Sequence, residues 1–466
     1  MRVLLVYPNA NTKVIPWGDA GAIAEPIALE YLGAVAVGEG HEVRLLDLRL
    51  HHDLLDETLD SFQPDLVAVT GYSMHVLRCL EVCRVAKERV PSCRTIAGGH
   101  HATLEPVDFF APEVDYVVVG EGSRPFRAVL RELADQTPPA AIPGTYTRVE
   151  GTFRSGGPPL PFDFDAIPCP DRTLARDDRK DYYIDWMRPI GMVRTSIGCP
   201  YRCSFCSLWR IMGGRYVTRR GDSVVAELRT IPERYIFLMD DEPFIQAERM
   251  LRLADEIERA GIDKEYFAYC RVDSMLRQGD VMQRWRQIGM KRLLLGVETI
   301  FDEESIGYRK RQKREQVLRG LEAAARMDIQ LMCNFIVHPD YSDREFDELT
   351  RFIEENRVEH PSFTVWTPLP GTQYDDASIL VRQPNGRPHW DYFDLQHPVT
   401  GTRLPKEAFI TRYFNLYMRF LSKYYASDGP MTLALLQRMS RGSVPGGVPP
   451  LAAQAMGAET IPSGRK

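Results

Sequence analysis

The chain has 466 residues, of which 44% are hydrophobic and 26% charged, and its net charge is −6. This composition is ordinary for a globular protein of two or three domains, and the negative charge gives no reason to expect nucleic acid as a partner. No run of about 18 apolar residues is present, so no membrane span is expected. Nine cysteines, an odd number, favour a reducing compartment, so we expect a cytoplasmic protein.

Residues 1–135 alternate apolar runs with helical segments, and the first of these runs reads as a strand rather than a signal peptide. Continuous apolar runs suit strands that are buried on both faces of a parallel sheet. We therefore predict a doubly wound, Rossmann-like α/β domain. The predicted strands are Val3–Tyr7, His41–Asp47, Asp65–Thr70, Arg94–Gly98 and Val114–Gly120.

Three loops of this domain follow the third, fourth and fifth strands and are rich in glycine. The carboxyl ends of parallel strands form the ligand-binding edge of such folds, and glycine lets a flat or bulky ligand approach the backbone closely. We predict a ligand site formed by Thr70, Gly71, Ser73, Gly98, Gly99, His100, Gly120, Glu121 and Gly122.

Residues 136–188 form a connector that is punctuated by proline and glycine. Thr145–Val149 and the residues after Glu150-Gly151 predict a small hairpin. The function of the following segment, Phe162–Arg172, is not readable from its residues.

Residues 189–375 again alternate strands with helices. Six such units predict a partial, TIM-like barrel, which we expect to be open because a full barrel needs eight. The predicted strands are Met192–Ile197, Tyr235–Met239, Glu265–Arg271, Arg292–Val297, Gln330–Val337 and Ser362–Pro368.

Three cysteines, Cys199, Cys203 and Cys206, stand at a C-x3-C-x2-C spacing just after the first of these strands. Thiolates are the usual ligands of iron–sulfur clusters, and three of them leave one iron of a four-iron cube open for a small molecule. The alternative is a zinc half-site, but structural zinc takes four ligands and the nearest histidines in sequence are His101 and His338.

With Phe205 before the third cysteine, this motif resembles the radical S-adenosylmethionine (radical SAM) superfamily. The resemblance implies a 4Fe-4S cluster held by the three cysteines, with SAM bound at the open iron and cleaved to a 5′-deoxyadenosyl radical. No catalytic residue beyond the cluster ligands is indicated. Matching positions at the strand ends imply that SAM is bound by Phe205, Asp240, Asp241, Glu242, Arg271, Glu298 and Ile336.

The glycine-rich loops, with Ala97–Thr103 and Val118–Gly122, resemble the cobalamin-binding domain that precedes many radical SAM modules. That domain often carries D-x-H-x-x-G after its first strand, whereas residues 8–26 contain no histidine. The resemblance therefore implies cobalamin bound without a histidine lower ligand, with His100 and His101 near the corrin side groups rather than on cobalt. A domain that binds nothing and serves only as a scaffold is the alternative.

The C-terminal region divides into residues 376–441 and a stretch, 442–466, that is rich in proline, glycine and alanine and is predicted to be disordered. A helix over Glu407–Tyr425 carries aromatic residues at helical spacing, which favours core packing over a ligand site. The segment around residues 390–406 resembles the bacteriochlorophyllide and hopanoid ring methylases.

The resemblance implies a cobalamin-dependent radical SAM C-methyltransferase that acts on an unactivated carbon of a secondary metabolite, tetrapyrrole or terpenoid-like substrate. The expected partners are a sizeable, apolar small molecule and a flavodoxin- or ferredoxin-type electron donor. Cyclisation, rearrangement or oxygenation with the same cofactors is the alternative, and a cofactor-binding protein without turnover is a third. A methylthiotransferase is disfavoured because no second cysteine triad and no basic RNA-binding module are present.

Overall fold

A computed structural model of the protein describes residues 1–10, 22–137 and 141–425, with side chains as far as Phe420. The segment predicted to be disordered, 442–466, lies outside the described residues. The described chain contains two large sheets, one from each half of the sequence, and two short two-stranded pairings.

The N-terminal half is built on a seven-stranded sheet. Its elements are β1 (Arg2–Tyr7), β2 (Ala22–Ile23), α1 (Ile27–Gly38), β3 (Glu42–Asp47), α2 (Leu55–Phe62), β4 (Leu66–Thr70), α3 (Val76–Arg89), β5 (Arg94–Gly98), α4 (His100–Leu104), β6 (Tyr116–Val118), α5 (Ser123–Ala134), β7 (Thr145–Val149) and β8 (Thr152–Ser155). Strands β3-β1-β4-β5-β6 are parallel, and the β7–β8 hairpin continues the sheet antiparallel to β6. Along β1, Val3 and Leu5 enter one core while Leu4 and Val6 enter the core on the other face. The predicted doubly wound fold is confirmed.

The C-terminal half is built on a six-stranded sheet that runs β10-β13-β14-β15-β16-β17, with every pairing parallel. Because the strands follow chain order and β10 and β17 lie at the two edges, this sheet is the open six-stranded barrel that was predicted. Its elements, with those of the connector, are β9 (Tyr183–Ile184), β10 (Ile190–Val193), β11 (Ser196–Ile197), α6 (Leu208–Ile211), β12 (Val217–Thr218), α7 (Gly221–Leu228), β13 (Tyr235–Leu238), α8 (Ala247–Arg259), β14 (Glu265–Arg271), α9 (Val272–Arg277), α10 (Gly279–Gln287), β15 (Met290–Glu298), α11 (Asp302–Gly307), α12 (Arg314–Arg326), β16 (Gln330–Val337), α13 (Asp343–Glu355), β17 (His360–Val365) and α14 (Lys406–Tyr425).

The first barrel strand is shorter than predicted. The expected strand Met192–Ile197 ends at Val193, and Ser196-Ile197 forms a separate antiparallel pair with β12. The cause is Asp240, whose carboxylate accepts the backbone N–H groups of Thr195 at 2.6 Å and Ser196 at 2.9 Å, so these residues leave the ladder.

The residues after the barrel pack against both halves. Trp390 and Phe393 are buried in the core of the first sheet, and the Trp390 ring lies 4.5 Å from that of His101. In α14, Phe409 and Tyr413 are buried in the barrel core, which confirms that this aromatic helix is core rather than a ligand site. The chain after β17 therefore ties the N-terminal domain to the barrel.

A buried ionic network also joins the two halves. Arg172, in the connector, donates to Glu25 at 3.1 Å and to Glu227, on α7, at 2.6 Å. The second oxygen of Glu25 accepts the backbone N–H of Met192, in β10, at 2.7 Å. Because charges this deeply buried are stable only when they are paired, the network opposes separation of the domains.

Candidate active site

The loop that carries the three cysteines is held on both sides by residues that are distant in sequence. Gly198 has a φ of +90°, and its N–H donates to Asp241 Oδ2 at 2.7 Å. A β-carbon at Gly198 would lie 2.0 Å from the carbonyl oxygen of Arg215, so only glycine fits. On the far side, the Ser204 N–H donates to the carbonyl of Tyr308 at 2.9 Å. The loop is therefore fixed before any cofactor binds.

The three thiols lie close enough to influence one another. Burial raises the pKa of Cys199 to about 11; burial, together with the neighbouring thiols of Cys203 and Cys199, raises that of Cys206 to about 12. At neutral pH the thiols of Cys199 and Cys206 are protonated, and a metal centre has to supply the positive charge that makes them ligands.

Three thiols are the donors that an iron–sulfur cluster takes from a protein. Within the ranges that the structure describes, no three His, Cys, Asp or Glu side chains converge on a point where one metal ion would sit. A four-iron cluster presents its irons at separate corners, so its thiolates need not converge. The cysteines Cys199, Cys203 and Cys206 remain predicted cluster ligands.

Of the acidic residues predicted to bind SAM, Asp240 has a different role in the structure. Its side chain is fully buried, and its two oxygens accept from the N–H and hydroxyl groups of Thr195 and Ser196. No oxygen of Asp240 faces open space, so we assign it to holding the chain that leads into the cysteine loop. The sequence could not separate it from Asp241 and Glu242 because all three follow the same strand.

Glu242 has the properties expected of a ligand for an ammonium group. One of its oxygens accepts the Arg271 N–H at 2.8 Å, whereas Oε1 is buried without a hydrogen-bond partner among the described residues. Burial raises the pKa of Glu242 to about 7. A cation would satisfy the orphaned oxygen and the buried charge together, so this residue fits the amino group of SAM.

Arg271 lies beside the cysteine loop. Its Nη1 is 3.6 Å from Cys203 Sγ, and its Nε donates to Asp273 at 2.8 Å. The guanidinium also lies 3.8 Å from the centroid of the Tyr201 ring. The predicted bond to the SAM carboxylate therefore competes with Asp273 for the guanidinium, and it stays a prediction.

Glu298 ends β15 with a φ of +64°. Its Oε1 accepts from Lys310 Nζ at 2.7 Å and its Oε2 from the Asn334 amide at 3.1 Å. Sequence reasoning did not identify Lys310, because a lysine twelve residues downstream gives no signal. Of the remaining SAM candidates, Phe205 packs edge-on against Tyr308 at 5.3 Å, and Ile336 is buried in β16.

A large cavity lies between the carboxyl ends of the two sheets. It holds about 1940 Å³ of empty space, including its open mouth. The first sheet borders the cavity where β1 and β4 are neighbours. The strand order reverses at this point, and doubly wound folds bind their ligands there. The barrel contributes Arg194, Ile197 and Met239. Eight of the nine predicted cobalamin residues line it, namely Thr70, Gly71, Gly98, Gly99, His100, Gly120, Glu121 and Gly122.

Ser73 is the exception. It is buried behind the wall, where its hydroxyl lies 2.9 Å from Nδ1 of His101, whose Nε2 lies 2.9 Å from Asp108. His101 is therefore occupied at both ring nitrogens. His75 is also engaged, since its Nδ1 accepts the Tyr72 N–H at 3.1 Å. Among the described histidines, His100 is the one that lines the cavity.

The connector supplies a wall that sequence reasoning missed. Leu160, Phe162, Phe164 and Ile167 line the cavity on the side of the first domain's ligand loops. Their apolar, aromatic character was visible in the sequence, but nothing in it indicated which surface they cover. The segment between the domains is thus part of the candidate site.

The two halves match two known families. Residues 15–130 match the B12 binding domain and residues 193–353 match the Radical SAM superfamily. The fold and site thus define a radical SAM enzyme with a cobalamin-binding domain. Over 422 residues the chain is 34% identical to a hopanoid C-3 methylase of Methylococcus capsulatus, covering 88% of this chain and 78% of that protein. The chain belongs to the cobalamin-dependent radical SAM methyltransferase family, which confirms the predicted family and enzyme class.

Two further similarities are to a relative with a different activity and to a solved structure. The chain is 27% identical, over 80% of its length and 63% of the relative's, to an anaerobic magnesium-protoporphyrin IX monomethyl ester cyclase of Cereibacter sphaeroides. The solved radical SAM methyltransferase TsrM of Kitasatospora setae, with cobalamin and a 4Fe-4S cluster bound, has the same fold, with a TM-score of 0.67 at 19% identity, over 89% of this chain and 90% of that one. In the described part of the chain, no helix combines the length and apolarity needed to cross a bilayer.

Proposed function

We propose that the protein methylates an unactivated carbon of a large, mostly apolar, polycyclic substrate of the terpenoid class. The observation that carries this proposal is the single cavity bounded by the ligand loops of the first sheet and by the end of the first barrel strands. A carbon radical must meet its methyl donor before it meets water, and a cavity shared by the cobalamin-binding loops and the first barrel strands allows this.

The inner face of the barrel supports an apolar substrate. Outward-facing residues such as Leu293 and Leu295 are fully buried, whereas the inward-facing Leu294 and Met332 are partly exposed. Tyr269, in the middle of the sheet, is 37% exposed. This exposure fits strand side chains that face an open lumen, and Leu294, Met332 and Tyr269 present large, mostly apolar groups to it.

When bound, SAM with the cluster supplies a hydrogen-abstracting radical, and cobalamin supplies a methyl group. The chain's own residues hold and shield these groups. Asp240 and Asp241 fix the cysteine loop, Glu242 receives an ammonium group, and the connector residues Leu160 and Phe162 cover the cavity. Their common effect is to keep reactants aligned and water excluded.

We also propose that cobalt has no histidine ligand on its lower face. His75 and His101 are bonded within the protein, and the ring of the cavity-lining His100 packs edge-on against the Tyr72 ring at 4.8 Å. Electron paramagnetic resonance of bound cob(II)alamin should show no nitrogen splitting from the protein. A histidine splitting that is lost in His100→Ala would refute this proposal.

The test of function is anaerobic reconstitution with iron, sulfide and cobalamin, followed by turnover with CD3-labelled SAM and a pentacyclic hopanoid. We expect 5′-deoxyadenosine and a product that is heavier by one labelled methyl in place of hydrogen. Cys203→Ala is the control and should give neither. Absence of 5′-deoxyadenosine from the reconstituted wild type, with a dithionite reductant, would refute the assignment.

A second function is favoured by one comparison, the similarity to a cyclase that acts on a magnesium porphyrin monomethyl ester. The same turnover with that porphyrin separates the two candidates. Deoxyadenosine accompanied by a cyclised, unlabelled product would replace methyl transfer with ring formation.

A further inference from the structure

The surface behind the cysteine loop forms a groove that differs in charge from the rest of this acidic chain. It is lined by Arg202, Arg271, Arg277, Arg309 and Arg311 together with Lys310, and by a single acid, Asp273. We name this surface the basic groove. None of its residues lines the large cavity, so a molecule in the groove leaves the substrate route open.

Three cations of the groove are not neutralised by the protein. Asp273 is taken by Arg271 at 2.8 Å and Arg277 at 2.9 Å. Arg202, Arg309 and Arg311 are exposed and have no carboxylate partner among the described residues. Unpaired cations on one face attract an anionic partner and speed its association.

The backbone of the groove directs these arginines outward. Arg309 and Arg311 both have a φ of +55°, whereas Lys310 between them points inward to Glu298 at 2.7 Å. The segment is tied to the cysteine loop, since the Ser204 hydroxyl donates to the Gly307 carbonyl at 3.0 Å. The two arginines are therefore displayed on a turn that is anchored beside the cysteines.

An exposed apolar side chain lies among these charges. Ile306, which also lines the groove, is 66% exposed. Protein–protein interfaces typically have an apolar centre surrounded by a polar or charged rim. Weak complexes between redox proteins use small interfaces of this kind. A lipid surface would instead require a broader apolar face, so the observations favour a protein.

The groove is also close to the predicted cluster. Arg271 lines the groove and its Nη1 lies 3.6 Å from Cys203 Sγ, so one side chain separates the surface from a cluster ligand. Resting on the function proposed above, we infer that the basic groove is the docking surface for a small, acidic, one-electron carrier protein. One electron leaves the reduced carrier and enters the cluster, with no proton or leaving group transferred.

The test uses the reconstituted full chain and a purified flavodoxin with its NADPH-dependent reductase. The variant Arg202→Gln/Arg309→Gln/Arg311→Gln removes the unpaired charges. The matched control removes three exposed arginines from elsewhere in the barrel domain, Arg229→Gln/Arg344→Gln/Arg351→Gln. Ile306→Ser tests the apolar centre without a change in charge.

Two readouts are needed. Titration calorimetry should show that wild type and control bind flavodoxin with an affinity that falls with salt, and that the groove variant binds at least about tenfold more weakly. The KM for flavodoxin in 5′-deoxyadenosine formation should rise by a similar factor in the groove variant and in Ile306→Ser. The rate with dithionite should stay at the wild-type value in every variant.

Several results would overturn the inference. One is equal binding of flavodoxin by the groove variant and the wild type. Another is a lower rate of 5′-deoxyadenosine formation with dithionite in the groove variant, which would place the arginines in SAM or cluster binding. Groove-dependent sedimentation with phosphatidylglycerol vesicles, without flavodoxin binding, would assign the surface to a membrane. A wild type that forms no deoxyadenosine with dithionite would instead refute the proposed function.

Discussion

Replacing Asp240 tests whether the cysteine loop is held in place before the cofactor binds. In Asp240→Ala, the N–H groups of Thr195 and Ser196 and both of their hydroxyls lose their acceptor. Each lost buried hydrogen bond costs about 1 kcal/mol, and more where a donor stays unsatisfied. We expect the free energy of unfolding to fall by about 3–5 kcal/mol, which is a large share of a typical total of about 5–15 kcal/mol.

Asp240→Asn is the informative comparison. The amide oxygen can still accept both backbone N–H groups, and the amide nitrogen can donate to hydroxyls that rotate to accept. Burial raises the pKa of Asp240, so its ionised form is already disfavoured and loss of the charge costs little. We expect a loss of about 1 kcal/mol for this variant.

The assays are urea unfolding of the unreconstituted protein and iron content after reconstitution. Asp240→Ala should bind much less iron than Asp240→Asn, because the chain that leads into its cysteine loop has lost four hydrogen bonds. Near-normal stability and iron content in Asp240→Ala would refute the positioning role. If Asp240→Asn kept its iron but lost SAM affinity, the original assignment of Asp240 to SAM would be restored.

Three further predictions concern the two cofactor sites. Cys203→Ala should abolish iron binding and 5′-deoxyadenosine formation while cobalamin binding persists, with the exposed Cys169→Ala as control; deoxyadenosine from the variant would contradict the cluster assignment. Gly99→Ala should weaken cobalamin binding about tenfold or more in spectral titrations. The reason is that Gly99 has a φ of +102° and that a β-carbon there would lie 2.7 Å from Thr70 Oγ1. The control is Gly38→Ala, whose β-carbon meets no atom within 4 Å and which should bind cobalamin as the wild type does. Burial raises the Glu242 pKa to about 7, so the fraction of Glu242 that is a carboxylate rises with pH. We therefore expect the affinity for SAM, measured by calorimetry from pH 6 to 8.5, to fall about tenfold for each pH unit below 7. The same dependence on pH in Glu242→Gln would contradict this prediction.

The strands were predictable where apolar runs end at strong breakers. Arg94–Gly98, Glu265–Arg271 and Gln330–Val337 have the predicted bounds to the residue. Each is a continuous, mostly apolar run that glycine, proline or charge interrupts, and such runs carry their own boundaries. The glycine-rich ligand loops were predictable for the same reason, since they follow strands whose ends were visible.

The contacts between distant segments were not predictable. Asp240 bonds to residues 44 and 45 positions upstream, and Trp390 packs against His101 across most of the chain. Periodicity reports which face of an element is buried, but not which other element covers it. This is why the sequence could not show that the β7–β8 hairpin extends the first sheet or that Phe162 lines the cavity.

The buried network around Arg172 links the first domain, the connector and the barrel. Its side chain is 10% exposed and its partners Glu25 and Glu227 are 1% and 0% exposed, so removal of one partner would strand a buried charge. Because the second oxygen of Glu25 binds the backbone of Met192, whose side chain lines the cavity, the network fixes the barrel edge against the first sheet. The proposed methyl transfer requires that the substrate carbon stay within reach of both cofactor sites, so the separation of the two domains has to be fixed. Buried ion pairs need strict geometry to be stable, so the network around Arg172 opposes changes in the distance between the first sheet and the barrel edge.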